Sequence, residues 1–215
     1  AFEGAYQKAF DAGYEQVICI CCSSEVSATY NNAKLGAAAF EEQDISVVDS
    51  KQLSLAEGFQ VLAAAEAAEA GEEKAHILSK LEAIQKKTHV YGALPTLKYL
   101  AMGGRVGKLA AGFGNTLEIK PILTSRDGKL DLLEKVRTWR KAKQRLVDLG
   151  VESVDGKPIE RVGMVHVNNE PGVMALYDSL KEALALPEES IVTAFSPGLS
   201  VHTGSGVIAF VVITK

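Results

Sequence analysis

Four hydroxyl side chains lie together at the point where an apolar run ends. The run Val17 to Cys22 is followed by Ser23, Ser24, Ser27 and Thr29, and a helical pattern then begins. Hydroxyls and the free N–H groups of a helix start suit a carboxylate or a phosphate. One serine is also expected to cap the helix, which is worth about 1 kcal/mol. The residues alone leave open whether the cluster is an anion site as well as a cap.

A second candidate group lies in the segment SPGLSVHTGSGVIAF, residues 196–210. His202 and Thr203 are predicted to lie in a glycine-rich loop just before an apolar strand. Glycine lets backbone approach a ligand closely, and a neighbouring histidine can donate to an anion or titrate near neutrality. A turn that contains an incidental histidine is the alternative.

Basic residues form a third candidate group. Arg105 and Lys108 occur in GGRVGK, and six basic residues, with no acid among them, lie between Lys135 and Arg145, including Arg137 and Arg140. Most such runs are solvated faces. Because the net charge of the chain is −4, a local basic patch could instead attract a negative partner or a phosphate group.

Ser24 and His202 also raise the possibility of a serine hydrolase or acyltransferase. The sequence has no G-x-S-x-G elbow, and no acidic residue is clearly placed to orient the histidine. Separation along the chain does not exclude such a pair, so a hydrolase remains the alternative function.

Composition narrows the class of protein. The chain has 215 residues, 47% of them hydrophobic, which is enough to bury a substantial core. The net negative charge argues against nucleic acid as a partner, and no apolar run reaches the roughly 18 residues of a membrane span. Three cysteines, Cys19, Cys21 and Cys22, share one apolar run. They predict reduced core thiols, a cytoplasmic setting and no metal site.

The first half of the chain alternates strands with helices. Apolar segments at 15–22, 45–49 and 89–93 are predicted strands, separated by helices with apolar residues at helical spacing. Such alternation is typical of α/β units with a mostly parallel sheet. We therefore predict an N-terminal α/β domain over residues 1–94.

The second half follows a different pattern. Two strands flank Asp127-Gly128, which is a strong hairpin signal, and a basic helix follows at about 138–149. Further strands are predicted at 161–167, 190–195 and 206–213, with one more helix between the first two of these. This pattern predicts a C-terminal α+β domain with a mixed sheet over residues 95–215.

Six motifs taken together resemble the DegV family over essentially the whole chain. They are SSEVSATY, VDSKQLSLAEG, LKYLAMGGRVGK, LEIKPILTSRDGKL, EKVRTWRKA and HTGSG. The resemblance implies a protein that binds a long-chain fatty acid between an N-terminal α/β domain and a C-terminal α+β domain.

The same resemblance implies a function without catalysis by this chain. The family includes the fatty-acid-binding subunit of bacterial fatty acid kinase, in which a separate ATP-dependent subunit phosphorylates the bound carboxylate to give an acyl phosphate for lipid synthesis. No P-loop or kinase signature occurs here. We therefore expect no cofactor, no metal and no enzymatic activity of this chain's own, with the kinase subunit as its partner.

Site residues follow from the resemblance position by position. Ser24 would bind the fatty acid carboxylate, with Ser23 and Ser27 close by, and His202 and Thr203 would lie near the same head group. Four basic residues would form a surface for the kinase or for phosphate, namely Arg105, Lys108, Arg137 and Arg140.

The sequence departs from the family pattern at several points. Glu25 and Ala28 stand where the family usually has glycine, and Ser205 stands where proline is frequent. Glu25 is expected to point away from the carboxylate. The family also has a strand and a TSQPS-like segment, whose threonine contacts the carboxylate, before the helix that opens this chain. The resemblance therefore implies a member that lacks its N-terminal segment.

Overall fold

The computed structural model describes residues 1–105 and 119–215, which form two compact units. The first unit comprises residues 1–85 together with 127–129, and the second comprises the described parts of 86–126 and 130–215. Each unit has its own sheet and its own packed helices.

The first unit is built on a parallel pair of strands. Strand β1 (Gln16–Cys21) runs parallel to β2 (Asp44–Asp49), with Cys21 opposite Asp49. Helices α1 (Phe2–Asp11) and α2 (Thr29–Ala37) precede and connect the strands, and α3 (Leu55–Glu69) and α4 (Lys74–Lys87) follow them. Because both strands run in one direction, their carboxyl ends lie at the same edge.

Opposite faces of these strands contact different helices. Ile18, Ile20 and Val48 pack against a buried cluster that includes Ala67 of α3 and Leu81 of α4. On the other side, α1 contacts α2, and the Tyr6 hydroxyl donates to the Ala33 carbonyl at 3.1 Å. Alternation along β1 therefore places its isoleucines towards α3 and α4.

The second unit contains a mixed sheet. Its strands are β3 (Thr88–Ala93), β4 (Lys120–Arg126), β5 (Lys129–Val136), β6 (Ile159–His166), β7 (Ser190–Ala194) and β8 (Ile208–Thr214). Among the described residues these six strands are ordered β5-β4-β3-β8-β6-β7. The pairs β3–β4, β3–β8 and β6–β8 are antiparallel, and the pair β6–β7 is parallel.

Helices cover the second sheet. They are α5 (Lys98–Met102), α6 (Trp139–Val154), α7 (Glu170–Ala183) and α8 (Pro197–Thr203). Neighbouring residues Ile122 and Leu123 belong to different buried clusters, one with Leu146 of α6 and the other with Leu100 of α5. The sheet therefore separates two apolar layers, and every residue of β8 is buried between them.

The predicted fold class is confirmed, with one correction to strand placement. The parallel pair and the larger mixed sheet correspond to the α/β and α+β halves expected from the sequence. Residues 89–93, however, were predicted as the third strand of the N-terminal sheet. They form most of β3, which pairs antiparallel with β8 in the second unit. Gly92 permits this pairing, because a Cβ there would lie 2.9 Å from the Ala209 Cβ.

Candidate functional site

The site in the first unit is centred on a hydrogen bond between Ser24 and Asp49. Ser24 follows β1 and is partly exposed, while Asp49 ends β2. The Ser24 hydroxyl donates to Asp49 Oδ2 at 2.6 Å, and the Ser24 N–H donates to Oδ1 at 3.3 Å. A third donor, the Lys51 N–H, lies 2.9 Å from the same Oδ1. Asp49 therefore holds Ser24 at the carboxyl edge of the parallel strands.

Ser23 lies beside Ser24 but has a structural role. It is fully buried, and its hydroxyl donates to the Gly128 carbonyl at 2.7 Å and accepts from the Glu25 N–H at 3.2 Å. With its single hydrogen and a lone pair already used, the hydroxyl has no exposed hydrogen to offer to a head group. Of these two serines, only Ser24 has surface available to a ligand.

The other hydroxyls of the cluster bond to each other. Ser27 Oγ lies 2.7 Å from Thr29 Oγ1 and accepts from the Thr29 N–H at 3.2 Å. The predicted serine cap of α2 is wrong, because α2 begins at Thr29 after Ala28, with no side-chain cap bond. The serines instead satisfy the turn that precedes the helix, since short hydroxyl side chains compete for nearby backbone groups.

Asp49 is the site residue that the sequence analysis missed. It occurs in VDSKQLSLAEG, a motif that supports the family resemblance but by itself indicates no chemical role. Its position in the sequence could have indicated this role. Asp49 ends a predicted strand, and the ends of neighbouring parallel strands lie side by side, so Asp49 could have been expected to lie near the serines that follow β1. Glu25, by contrast, is exposed and pairs with Lys129 at 3.3 Å.

His202 and Thr203 lie in the second unit, in a helix rather than in the predicted loop. Pro197 occupies the first turn of α8, where its fixed φ angle suits a helix start. Because α8 ends at Thr203, both residues occupy its last turn. The Thr203 hydroxyl donates to the Leu199 carbonyl at 3.2 Å. The glycines at 198, 204 and 206 led to the prediction of a loop. In the structure, Gly198 lies within α8 and Gly204 ends this helix.

Gly103 brings together two residues that the sequence analysis assigned to separate sites. A Cβ at Gly103 would collide with the His202 imidazole, so the ring packs directly on the glycine. Arg105 Nη1 donates to the Gly103 carbonyl at 2.6 Å. His202 of the predicted head-group set and Arg105 of the predicted partner surface therefore share a neighbour at the end of α5.

The remaining basic residues lie at the start of α6. Arg137 and Arg140 are exposed, and neither has an ion pair with another described residue. Arg145, at the far end of the basic run, is bound by Glu134 and Glu152, at 2.6 Å in each case. Lys108 lies outside the described residues.

Burial also perturbs groups near the carboxyl edge of the first unit. Glu57, in the first turn of α3, is largely buried, and desolvation raises its pKa from 4.5 to about 7. Burial and the neighbouring Cys19 raise the pKa of the Cys21 thiol to about 12. Cys19, Cys21 and Cys22 are free thiols.

Residues 1–105 and 119–215 contain neither a candidate metal centre nor a candidate membrane-spanning helix. No group of three or more His, Cys, Asp or Glu side chains there could hold a metal ion. None of the helices in these ranges combines the length and apolar character that crossing a membrane requires.

The described residues thus form a parallel α/β unit with a hydroxyl–carboxylate pair at its carboxyl edge and a second unit with a mixed α+β sheet. A family model described as "Uncharacterised protein, DegV family" matches residues 1–215. The chain belongs to the DegV family. A DegV domain-containing protein of Streptomyces coelicolor is 32% identical over 214 residues, which span 100% of this chain and 75% of the relative.

Solved structures agree with the family assignment. A DegV family protein from Thermus thermophilus, described for its fatty acid binding, has a TM-score of 0.93 and 28% identity, covering 100% of this chain and 76% of its own. A DegV family protein from Eubacterium eligens, solved with heptadecanoic acid, has a TM-score of 0.86 and 25% identity, covering 99% of this chain and 78% of its own.

Proposed function

We propose that this protein binds a long-chain fatty acid and does not transform it. One observation carries the proposal: the chain matches, along its full length, the Thermus thermophilus protein whose structure describes fatty acid binding. The other fatty-acid-loaded neighbour supports the same class of ligand. In such a complex the tail would supply most of the affinity, because each buried CH₂ contributes roughly 0.8 kcal/mol.

The head group is proposed to bind at Ser24. Ser24 is partly exposed at the carboxyl edge of two parallel strands, which is where open α/β sheets bind ligands. A desolvated carboxyl group needs hydrogen-bond partners, and Ser24 retains lone pairs beyond its bond to Asp49. Ser27, His202 and Thr203 remain proposed contributors, whereas Ser23 acts by supporting Ser24.

Replacing Ser24 by alanine tests this assignment. We expect fatty acid binding to weaken by about 1–2 kcal/mol, roughly tenfold, because one hydrogen bond to the head group is lost. Stability should change little, since Asp49 keeps the N–H groups of residue 24 and Lys51 as donors. Isothermal titration calorimetry and thermal unfolding measure the two quantities.

Two other serines, Ser23 and Ser79, serve as controls for that experiment. Ser23→Ala should lower stability more than affinity, because it leaves the Gly128 carbonyl and the Glu25 N–H without their buried partner. Ser79→Ala, on the exposed face of α4, should change neither quantity. Unaltered affinity in Ser24→Ala would contradict the head-group assignment.

The finer proposal is that the bound acid is presented to a separate ATP-dependent fatty acid kinase subunit. Family resemblance supports this partner. Arg105, Lys108, Arg137 and Arg140 are its proposed contact surface, with exposed Arg137 and Arg140 available at the start of α6. Unpaired guanidinium groups can steer a negatively charged partner without contacting the lipid.

Charge reversal at Arg137 distinguishes the partner surface from the ligand site. Arg137→Glu should leave fatty acid affinity nearly unchanged, and should slow acyl phosphate formation by a purified bacterial fatty acid kinase subunit, most strongly at low salt. Lys181→Glu, an exposed position in the last turn of α7, makes the same change in net charge as a control. Normal turnover of Arg137→Glu at low salt would contradict the surface, and a parallel loss of binding would place Arg137 at the ligand.

The serine hydrolase alternative is not retained. The hydroxyl hydrogen of Ser24 is directed to the Asp49 carboxylate, whereas a serine nucleophile needs a base that accepts and returns its proton, normally histidine. None of the relatives or structures compared above is described as a hydrolase. Absence of stoichiometric labelling of Ser24 by an active-site serine probe is the expected result.

A further inference from the structure

The Ser24–Asp49 bond restricts what Ser24 can offer to a ligand. A serine hydroxyl has one hydrogen, and an ionised aspartate can only accept. At 2.6 Å from Asp49 Oδ2, the hydroxyl hydrogen is therefore directed to Asp49. The side of Ser24 Oγ that remains open presents lone pairs, so the hydroxyl is an acceptor towards any ligand.

Neighbouring bonds hold Asp49 in this arrangement. Its Oδ1 is occupied by the Lys51 and Ser24 N–H groups. The backbone carbonyl of Asp49 accepts from the Gln85 side chain of α4 at 3.0 Å. Rotating the carboxylate away from Ser24 would break the first two bonds. The Ser24 hydroxyl is therefore already fixed as a hydrogen-bond acceptor before a ligand binds.

An ionised fatty acid fits such an acceptor poorly. Its carboxylate has no hydrogen to donate to Ser24 Oγ, and it would bring a second negative charge close to Asp49. A neutral carboxylic acid removes both conflicts, because its O–H donates to Ser24, which donates in turn to Asp49. Hydrogen bonds in such a chain strengthen one another.

We propose that Asp49 makes Ser24 selective for head groups that donate a hydrogen bond, so that the fatty acid binds there in its neutral, protonated form. This inference rests on the proposed function, since it concerns the same ligand at the same serine. Asp49 acts through Ser24 and is a positioning residue. Primary amides with the same chain belong to the same ligand class, because they are neutral donors.

Other charged and titratable groups surround this pair in the first unit. Glu25 follows Ser24 and is paired with Lys129 of the 127–129 segment, and Lys51 lies two residues after Asp49. Glu57, in the first turn of α3, interacts with Cys21, which is opposite Asp49 in the sheet. Burial raises the pKa of Glu57 to about 7, so its charge changes near neutrality. All affinities are therefore to be measured at one pH, so that the charge of Glu57 is the same for every ligand.

Three ligands of nearly equal shape test the inference on the wild-type protein. They are palmitic acid, palmitamide and the methyl ketone of the same chain length, whose head groups end in OH, NH₂ and CH₃. At pH 7 the free acid is ionised and must take up a proton to bind, so the amide, which is already neutral, should bind at least as tightly as the acid. The ketone, which cannot donate, should bind about tenfold more weakly than the amide. With a ¹³C-labelled carboxyl group, the bound acid should give the NMR signal of the protonated form.

Asp49→Asn provides the second measurement. An asparagine amide can donate to Ser24 Oγ, which frees the hydroxyl hydrogen for an anion. The acid should then bind up to about tenfold more tightly, and its ¹³C signal should move to that of the ionised form. Asp44→Asn is the matched control, because Asp44 is at the other end of β2, where it bonds Gln16 and Lys74, and it should leave both readouts unchanged.

Each outcome separates this inference from the proposed function. If the wild-type protein binds the acid in ionised form, or the ketone as tightly as the amide, the selectivity of Ser24 is refuted while fatty acid binding stands. Binding of none of the three ligands would refute the proposed function itself. Because the ligand comparison uses the wild-type protein, poor folding of Asp49→Asn would not remove the test.

Discussion

Replacing Gly204 by alanine is expected to lower the free energy of unfolding of the second unit by about 2–4 kcal/mol. Gly204 follows α8 with φ 80° and ψ 166°, a region that is almost restricted to glycine. A Cβ there would also collide with the Tyr99 ring of α5. The backbone must therefore strain and the ring must move. Chemical denaturation of the variant measures the loss.

Gly198→Ala is the matched control for Gly204→Ala. Gly198 lies in the first turn of α8, where a Cβ would meet only Ser196 Oγ at 3.9 Å. Alanine there should be neutral or stabilising by up to about 1 kcal/mol. A double variant with Tyr99→Ala separates ring collision from backbone strain, since collision predicts non-additive losses. Equal stability of the two single variants would contradict the predicted role of Gly204.

Replacing Glu57 by glutamine is expected to stabilise the protein above neutral pH by roughly 1–3 kcal/mol, after allowance for partial solvent screening. Desolvation raises the pKa of Glu57 from 4.5 to about 7 in the folded protein. The folded state therefore keeps a proton that the unfolded chain releases, and stability falls as pH rises between these two values. Glutamine carries no charge and removes this loss.

The sign and the window of that effect are both testable. Near about pH 4 the variant and the wild type should differ little from this cause, because Glu57 is protonated in both states. The difference should grow between pH 4.5 and 7 and then level off. Glu69→Gln, on an exposed part of the same helix, is the control. A constant difference across the whole range would contradict desolvation as the cause.

Elements with strong local signals could be predicted from the sequence. Ile77, Leu81 and Ile84 recur at helical spacing and are the buried residues of α4. Asp127 and Gly128, both with positive φ, form the predicted turn between β4 and β5. Asn169 caps α7 by accepting from the Gly172 N–H. In each case the residues that determine the local structure are close together in the sequence.

Strand partners could not be predicted in the same way. Residues 89–93 form a strand as expected, yet nothing local distinguishes a partner in the first sheet from one in the second. Pairing with β8 depends on a register more than a hundred residues away, in which Gly92 lies opposite Ala209. Such pairing is decided by long-range packing, which a local pattern does not contain.

The same distinction between local and long-range information applies to the candidate site. Sequence alone determined that hydroxyls gather after β1, that a histidine and a threonine follow Gly198, and that basic residues lie near the start of α6. Only the tertiary structure decided which hydroxyls remain open, because burying Ser23 under Gly128 and bonding Ser24 to Asp49 require contacts 105 and 25 residues apart. A hydrogen bond depends on distance and angle in space, and those are fixed only once the strands have paired.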